Sequence, residues 1–453
     1  MLPLALGVVI GIAALLRLLY LGGKSLWSDE VASLVIAKLS WAEFWRVVSA
    51  AEANMSFYYF LLHFWIRLGS DAFTVRLLSA LAGVAIIPVI YALGKELGSS
   101  LIALVAASII TVNVFHIRYS QEARSYTLVA FLLALSYLCL LRSIKERGYS
   151  WGIGYVLSAA LALYAHFFAA LGLLAQVISF SLMPKEKIPG CRHVIYFLVV
   201  ALLGLPLLWF VLARNTGQLD WVPVISLKGV YHFIAYLTGS GIQLAIAGLA
   251  SGIAVKAWIS AGRRERSVKK EWPLLLVLIW LVLPISLTLL LSLWKPIFSP
   301  RFLIVSLPAA TLLIASGLAR IRPDPLRYVL SALFLLGSIA PIRSYYAQPP
   351  VQDWKAAVGY LGRNVGANDG ILFPDQYCRL PFDYYTQQHG LVGSFALVSP
   401  VGYEPGGKPH LWIISCVAAG TPPPPYSGAY RIEGVEEFNG IQIAELVRTS
   451  STD

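Results

Sequence analysis

Long apolar runs separated by short polar loops dominate the chain. Crossing the hydrocarbon core of a bilayer takes roughly 20 apolar residues, and about eleven runs approach that length. They lie at residues 3–21, 75–94, 99–116, 123–141, 151–166, 167–183, 194–213, 241–261, 273–294, 302–319 and 326–342. The composition agrees, since 58% of the 453 residues are hydrophobic and only 13% are charged. The pattern predicts a polytopic α-helical membrane protein with about eleven transmembrane helices.

The pattern changes in two places. Residues 22–74 contain amphipathic stretches such as WAEFWRVV and FYYFLLHFWIRL, which are typical of helices lying in the membrane interface. After about residue 345, a predicted helix (Trp354–Arg363) is followed by the strand-like runs GILFPD, HLWIISC and GIQIAEL, with turn signals between them. We therefore predict a transmembrane domain at 1–344, with a first outer loop at 22–74, and a small C-terminal α/β domain at 345–453.

The net charge of +12 is concentrated in short loops. Those at 94–98, 142–150, 184–193, 262–272 and 319–327 hold many more Lys and Arg than Asp and Glu. This asymmetry is typical of cytoplasmic loops, so it argues for membrane orientation and against nucleic acid as a partner. We expect a multi-pass protein of the plasma (inner) membrane, with the first outer loop and the C-terminal domain extracytoplasmic.

The four cysteines are Cys139, Cys191, Cys378 and Cys416. They have no CxxC spacing, which argues against a zinc site built from them. Cys378 and Cys416 can form a disulfide if their domain faces an oxidising compartment.

Two adjacent carboxylates follow the first apolar run. Asp29 and Glu30 lie in SLWSDEVASL. Such a pair can simply be solvated at the interface. Here apolar residues on both sides favour a partly desolvated carboxylate, which is a candidate general base.

A second polar cluster, HIRYSQEARSY, separates the third and fourth runs. It contains Arg118, Tyr119, Gln121, Glu122, Arg124 and Tyr126. Glu122 is expected near the start of the fourth helix, where the helix dipole alone would favour a carboxylate. The density of polar groups favours a binding site instead, because guanidinium groups suit bidentate contacts with phosphate oxygens.

Other polar residues fall on the same predicted face. They are Asn54, Tyr58, Tyr59, His166, Lys295 and Arg301. Taken alone, His166 is typical of a histidine in a protein core. Lys295 and Arg301, taken alone, are typical of interfacial anchors whose charged ends reach the headgroups. Together they predict a cationic rim for the phosphate of a lipid-linked sugar. The chain has no glycine-rich nucleotide motif.

The sequence resembles the polytopic C-type glycosyltransferases, in particular the bacterial members related to protein O-mannosyltransferases and to the aminoarabinose transferases of lipid A. The resemblance rests on LWSDE (26–30), Asn54 with YYFLLH (58–63), RLLSA (76–80) and above all RYSQEARSY (118–126). One departure is that Asn54 is followed by Met55 and Ser56, where the family usually has two prolines.

The resemblance implies that Asp29 is the catalytic base, that Glu30 and Glu122 are supporting acids, and that Arg118, Arg124 and Arg301 bind or organise the donor phosphate. Lys295 is a further candidate for phosphate binding. Asn54, Tyr58, Tyr59, Tyr119, Gln121 and His166 are candidates for the acceptor and sugar region. No cofactor is required, although Glu122 and His166 are compatible with a divalent metal.

The predicted activity is transfer of a single sugar, with inversion, from a polyprenyl-phosphate-linked donor to a lipid, glycan or protein acceptor. One alternative is a flippase for lipid-linked sugars, which would place its polar residues nearer the bilayer midplane. Another is an inactive relative that only binds lipid or a partner. The identities of the sugar and the acceptor stay open.

Overall fold

The structure is a computed structural model. It describes residues 2–146, 148–183, 191–213, 221–239, 241–262, 265–391, 393, 395–398, 408–416 and 430–449. Parts of three predicted basic loops, at residues 147, 184–190 and 263–264, lie outside the described residues.

Helices account for most of the described chain. In chain order they are α1 (Leu2–Leu18), α2 (Ser28–Lys38), α3 (Trp41–Ala50), α4 (Ser56–Trp65), α5 (Ala72–Glu96), α6 (Ser100–Val112), α7 (Val114–Ser120), α8 (Tyr126–Lys145), α9 (Ser150–Ala165), α10 (Ala169–Ser181), α11 (Arg192–Ala213), α12 (Leu227–Thr238), α13 (Ile242–Gly262), α14 (Glu265–Leu291), α15 (Leu307–Leu318), α16 (Asp324–Leu336), α17 (Ile339–Ala347), α18 (Trp354–Asn364) and α19 (Gln376–Gln388). The amphipathic stretches WAEFWRVV and FYYFLLHFW are helical, in α3 and α4. Their position in the membrane interface stays a prediction.

Within the described residues, six helical segments are long and apolar enough to cross a membrane. They are Ala72–Glu96, Tyr126–Lys145, Arg192–Ala213, Ile242–Ser260, Trp272–Leu291 and Asp324–Ala347. The pair α6 and α7 meets the same test jointly, with a bend of 61° between the two helices, and four shorter apolar helices lie at Pro3–Leu18, Ser150–Ala165, Ala169–Ser181 and Phe302–Leu318. Each predicted apolar run corresponds to one of these segments, which confirms the predicted fold class. The run at 99–116 is not one straight helix, because it breaks at Asn113.

The chain divides into two compact units. The helical unit comprises the residues up to Leu19, Ser40–Trp65 and Arg76–Tyr346. The sheet unit comprises Tyr20–Leu39, Ile66–Val75 and the residues from Ala347 onward. The acidic pair therefore belongs to the same compact unit as the C-terminal residues, a grouping that the boundary predicted at 344/345 does not express.

Small residues bring helices of the helical unit into close contact. A methyl group added at Gly317 of α15 would lie 1.8 Å from the backbone oxygen of Ala250 in α13. Likewise, one added at Gly94 of α5 would lie 2.4 Å from the Cα of Ala103 in α6. Small residues at helix interfaces are typical of membrane proteins, where close backbone approach replaces the hydrophobic drive for helix association.

The sheet unit contains five strands, β1 (Gly370–Leu372), β2 (Ala396–Val398), β3 (His410–Ser415), β4 (Tyr430–Phe438) and β5 (Ile441–Arg448). Their order is β2-β1-β3-β5-β4, with β1 parallel to β2 and β3, and β5 antiparallel to β3 and β4. Alternating apolar residues form one buried face, made of Leu372, Leu411, Ile413, Tyr430, Ala444 and Leu446. Cys378 and Cys416 form a disulfide, so the pairing that the sequence leaves open is present.

The Gly317→Ala substitution should lower the thermal stability of the protein in detergent. The added methyl group clashes with backbone rather than with a flexible side chain, so α13 and α15 must separate, at a cost of about 1–3 kcal/mol. The measurement is the midpoint of thermal unfolding of the purified protein.

Gly252→Ala in α13 is the matched control, because nothing lies within 4 Å of a methyl group at that position. It should leave the midpoint unchanged or raise it slightly, since alanine favours helix more than glycine does. Equal midpoints for the two variants would contradict the close packing of α13 on α15.

Candidate functional site

The two adjacent carboxylates differ in their surroundings. Both lie in the first turn of α2, whose N-cap residue is Trp27. Glu30 is completely buried, and its Oε2 accepts the backbone N–H of Trp27 at 3.3 Å. An acid three residues after the N-cap that bonds back to it stabilises a helix start. Asp29 is only half-buried and accepts a hydrogen bond from the Tyr377 hydroxyl. Of the pair, Asp29 is therefore the carboxylate better suited to meet a substrate.

A buried arginine stabilises the break between α6 and α7 in the helical unit. Arg17 of α1 is fully buried and donates to the carbonyl oxygens of Ile110 and Thr111, each at 3.1 Å. The last carbonyl groups of a helix have no partner within that helix, so Arg17 supplies donors that α6 lacks. Arg17 also lies 2.8 Å from His116 Nδ1, and the side chain of Asn113 caps α7 by accepting the His116 N–H at 2.9 Å.

The turn after α7 carries the predicted polar cluster. Arg118 Nε donates to Glu122 Oε1 at 3.3 Å. Glu122 lies in the turn, four residues before α8 begins at Tyr126, so the expectation that it starts the next helix is wrong. The Gln121 amide donates to the carbonyl oxygens of Arg17 and Leu19 at 3.1 and 2.8 Å. Its oxygen accepts the Tyr345 hydroxyl at 2.9 Å. Gln121 thus has a supporting role in holding the turn.

A continuous series of aromatic rings connects the candidate phosphate-binding arginines. Neighbouring ring centroids lie 5.0 to 6.0 Å apart along Tyr119, Tyr126, His166, Phe302 and Trp221. The guanidinium of Arg118 lies 5.7 Å from the Tyr119 ring, that of Arg124 lies 6.0 Å from Tyr126, and that of Arg301 lies 4.1 Å from Trp221. Such contacts orient a guanidinium group. We call these three arginines and five rings the cationic cluster.

His166 lies at the centre of the cationic cluster, between α9 and α10. Burial, together with the smaller effects of the charges of Arg124 and Arg301, lowers the pKa of His166 to about 3. The imidazole is therefore neutral at neutral pH. Its Nδ1 accepts the Phe168 N–H at 3.2 Å, which fixes the ring and leaves Nε2 as the nitrogen that carries the proton.

Residues of the first outer loop are hydrogen-bonded to the same region. Asn54 Oδ1 accepts the Phe167 N–H at 3.0 Å. The Tyr58 hydroxyl lies 3.0 Å from Ser79 Oγ, which donates to the carbonyl oxygen of Arg124 at 2.9 Å. These bonds connect the loop to the cationic cluster on two sides.

Two predicted residues are less closely associated with this region. The Tyr59 hydroxyl donates to Glu52 at 3.2 Å. Lys295 is exposed just after the end of α14 and forms no hydrogen bond or ion pair with the cationic cluster among the described residues.

The chain is similar in sequence to one protein family and in structure to several solved proteins. Residues 55–213 match the family model described as dolichyl-phosphate-mannose-protein mannosyltransferase; no curated protein matches the chain. The structure is similar to ArnT from Cupriavidus metallidurans, both in the apo state and bound to undecaprenyl phosphate, with 10% identity, 97% of each chain covered and a TM-score of 0.60 in both cases. It is also similar to the archaeal oligosaccharyltransferase AglB from Archaeoglobus fulgidus, in complex with an inhibitory peptide and a dolichol-phosphate. The identity there is 13%, with 88% of this chain and 64% of AglB covered and a TM-score of 0.54.

The chain is a membrane protein with the C-type glycosyltransferase fold. The resemblance seen in the sequence is thereby confirmed. The family match includes Tyr58, Tyr59, the turn after α7 and His166, so most of the predicted site residues of the helical unit lie within it.

One group of three side chains in the described part of the chain has the composition of a metal site, and it is not the predicted one. The ligand atoms of His410, Glu433 and Glu445, on β3, β4 and β5, lie within 4.8 Å of one another. Glu122 and His166 do not belong to any such group of three among the described residues. A metal role for these two residues stays a prediction.

Sequence reasoning missed the residues that support the site from distant parts of the chain. Trp221 stacks on Arg301, Tyr345 holds Gln121, and Tyr377 holds Asp29. None has a local sequence signal, because each contact joins residues at least 80 positions apart.

The burial of a neutral His166 should make the protein less stable in mild acid. In the unfolded chain histidine takes up a proton near pH 6.5, whereas in the folded protein it does so only near pH 3. Stability is therefore lost as the pH falls below 6.5, by about 2 kcal/mol at pH 5. His166→Gln should reduce the difference in thermal midpoint between pH 7.5 and pH 5.

His232→Gln, which replaces an exposed histidine of α12, is the control and should retain the wild-type pH dependence. An unchanged pH dependence in the His166→Gln variant would contradict a buried neutral imidazole.

Proposed function

We propose that this protein is a glycosyltransferase of the plasma (inner) membrane. It moves a single sugar from a polyprenyl-phosphate-linked donor to an acceptor on the extracytoplasmic face, with inversion and with Asp29 as general base. The observation that carries the proposal is the cationic cluster, in which three guanidiniums are held by aromatic rings around a neutral histidine.

The cationic cluster suits the phosphate of a lipid carrier. Arginine presents N–H groups in a planar fork that matches phosphate oxygens. As the bond between sugar and phosphate breaks, negative charge grows on the departing phosphate, and fixed cations stabilise it. ArnT bound to undecaprenyl phosphate and AglB in complex with a dolichol-phosphate support a polyprenyl phosphate as the ligand here.

An apolar cavity of about 650 Å³ in the helical unit suits the hydrocarbon part of such a carrier. It is lined by Trp45, Val48, Ser49, Ala53, Ser56, Phe57, Phe60, Leu161, Tyr164, Pro206, Leu207, Trp209 and Phe210. Ala53 and Ser56 flank Asn54, which is hydrogen-bonded next to His166. Asn54 thus joins the segment that lines the cavity to the connection between α9 and α10, which carries His166.

In the proposed reaction Asp29 removes the proton from an acceptor hydroxyl. The hydroxyl oxygen bonds to the anomeric carbon while the bond from that carbon to the phosphate oxygen breaks. The polyprenyl phosphate leaves with the electron pair, held by Arg118, Arg124 and Arg301. Glu122 orients Arg118 through their ion pair, and Glu30 fixes the helix start beside Asp29.

No cofactor is needed for this chemistry. Measuring transfer before and after chelation of divalent cations tests whether a metal contributes.

The acceptor is a lipid, a glycan or a protein. Met55 and Ser56 stand where the family usually has two prolines, and without the prolines the backbone beside Asn54 is less restricted.

Asp29→Asn should reduce the rate of sugar transfer by about 10²- to 10⁴-fold. The amide has nearly the same shape but cannot take up the proton, and general-base catalysis contributes a factor of this size. The measurement is transfer from a labelled polyprenyl-phosphate sugar to a mixture of candidate acceptors by the purified protein.

Glu43→Gln, which removes an exposed carboxylate of α3, is the control and should transfer at the wild-type rate. Wild-type transfer by Asp29→Asn would remove Asp29 from the mechanism. Movement of the labelled lipid across vesicle membranes without any transfer would favour the flippase alternative.

Arg301→Gln should weaken the binding of polyprenyl phosphate. A hydrogen bond to a charged group is worth about 1.5–3 kcal/mol, so the dissociation constant should rise roughly tenfold to a hundredfold. Equilibrium binding in detergent measures this, with Lys256→Gln, an exposed cation of α13, as the control. Equal affinities for the two variants would exclude Arg301 as a phosphate ligand.

A further inference from the structure

The segment leading into α2 is held by C-terminal residues of the sheet unit. The backbone N–H of Leu26 donates to the Tyr385 hydroxyl at 2.6 Å. The backbone N–H and the hydroxyl of Ser28 both donate to Gln352 Oε1, at 2.9 and 2.8 Å. Leu26 and Ser28 are buried, so these bonds fix the backbone on both sides of Trp27 and set the direction in which α2 begins.

Asp29 itself has a partner on α19. The Tyr377 hydroxyl donates to Asp29 Oδ1. Hydrogen bonds to an ionised acceptor are stronger than those between neutral groups, and this one engages one of the two carboxylate oxygens. A carboxylate that accepts a hydrogen bond from a fixed donor keeps a defined orientation, as a general base requires.

The backbone of Tyr377 is anchored on both sides. On one side its N–H donates to Asp375 Oδ1 at 2.8 Å, which caps α19. On the other side Cys378 is fully buried and is joined by the disulfide to Cys416, just after β3. The helix that carries Tyr377 is thus tied to the sheet at the residue next to it. A donor on a backbone fixed in this way is preorganised for its acceptor.

We propose that Tyr377 is a positioning residue for the catalytic base, and that α19 with its disulfide is the part of the C-terminal region that orients Asp29. This inference rests on the proposed function. It gives the last hundred residues a role in the chemical step, in addition to any role in binding the acceptor.

The test is the Tyr377→Phe variant, assayed for transfer from the labelled polyprenyl-phosphate sugar. Loss of the hydroxyl leaves the ring in place, so the protein should fold normally and bind the donor with unchanged affinity. Misorientation of a catalytic group costs up to about 10²-fold, and we expect kcat to fall tenfold to a hundredfold while KM for the donor stays the same. Tyr360→Phe, which removes a hydroxyl from α18 of the same unit, should retain wild-type kcat.

A double-mutant cycle separates positioning from a general structural effect. If Tyr377 acts through Asp29, the Tyr377→Phe change should have no further effect on the residual rate of the Asp29→Asn variant. Additive losses, or a wild-type kcat in the single Tyr377→Phe variant, would overturn the inference. A wild-type rate in Asp29→Asn alone would instead overturn the proposed function, so the two failures are distinguishable.

Discussion

The structure of the helical unit depends on hydrogen bonds from Arg17 to the carbonyl groups at the end of α6, where the helical segment breaks. In the hydrocarbon region an unpaired backbone group costs several kcal/mol, so an apolar segment can change direction only where its free carbonyl groups find donors. Arg17 provides these donors to Ile110 and Thr111, and Asn113 caps the helix that follows. Side chains therefore hydrogen-bond to the backbone on both sides of the 61° bend between α6 and α7. Without it, the segment would continue straight and the residues from Arg118 onward would take different positions.

After this bend, the turn that follows α7 is rich in charged groups, and residues of several other helices hydrogen-bond to it. The Gln121 amide donates hydrogen bonds to carbonyl groups at the end of α1. Ser79 of α5 is hydrogen-bonded to the Tyr58 hydroxyl and donates a hydrogen bond to the carbonyl oxygen of Arg124. The guanidinium groups of all three arginines lie beside aromatic rings, and such contacts restrict the motion of the side chains. A site of this kind is preorganised for an anion, because little conformational entropy is lost when the anion binds.

Local patterns predict the elements well and their long-range partners poorly. The apolar runs and the strand-like segments of the C-terminal region all correspond to helices or strands. Burial in lipid or in a sheet requires apolar residues in a regular pattern, and that pattern is visible in the sequence. The apolar pattern does not show the break at Asn113, although a helix-capping residue within an apolar run is a usable signal. The helix dipole predicts Glu122 at the start of α8, whereas in the structure Glu122 lies before that helix and pairs with Arg118 at the end of α7. Tyr377, Gln352 and Trp221 could not have been found, since their partners are set only by the tertiary fold.

The segment LWSDE (26–30), which contains Asp29 and Glu30, is not an independent loop, because it belongs to the same compact unit as the C-terminal residues. Residues 20–39 and 66–75 belong with the C-terminal part of the chain, and buried donors at Leu26 and Ser28 have their acceptors there. A buried N–H that loses its acceptor costs about 1–3 kcal/mol, so the conformation of the motif depends on residues more than 300 positions away. Under the proposed function, the orientation of Asp29 therefore depends on α19 and on the disulfide as well as on the motif itself. The C-terminal region would then contribute to catalysis by setting the geometry of one carboxylate.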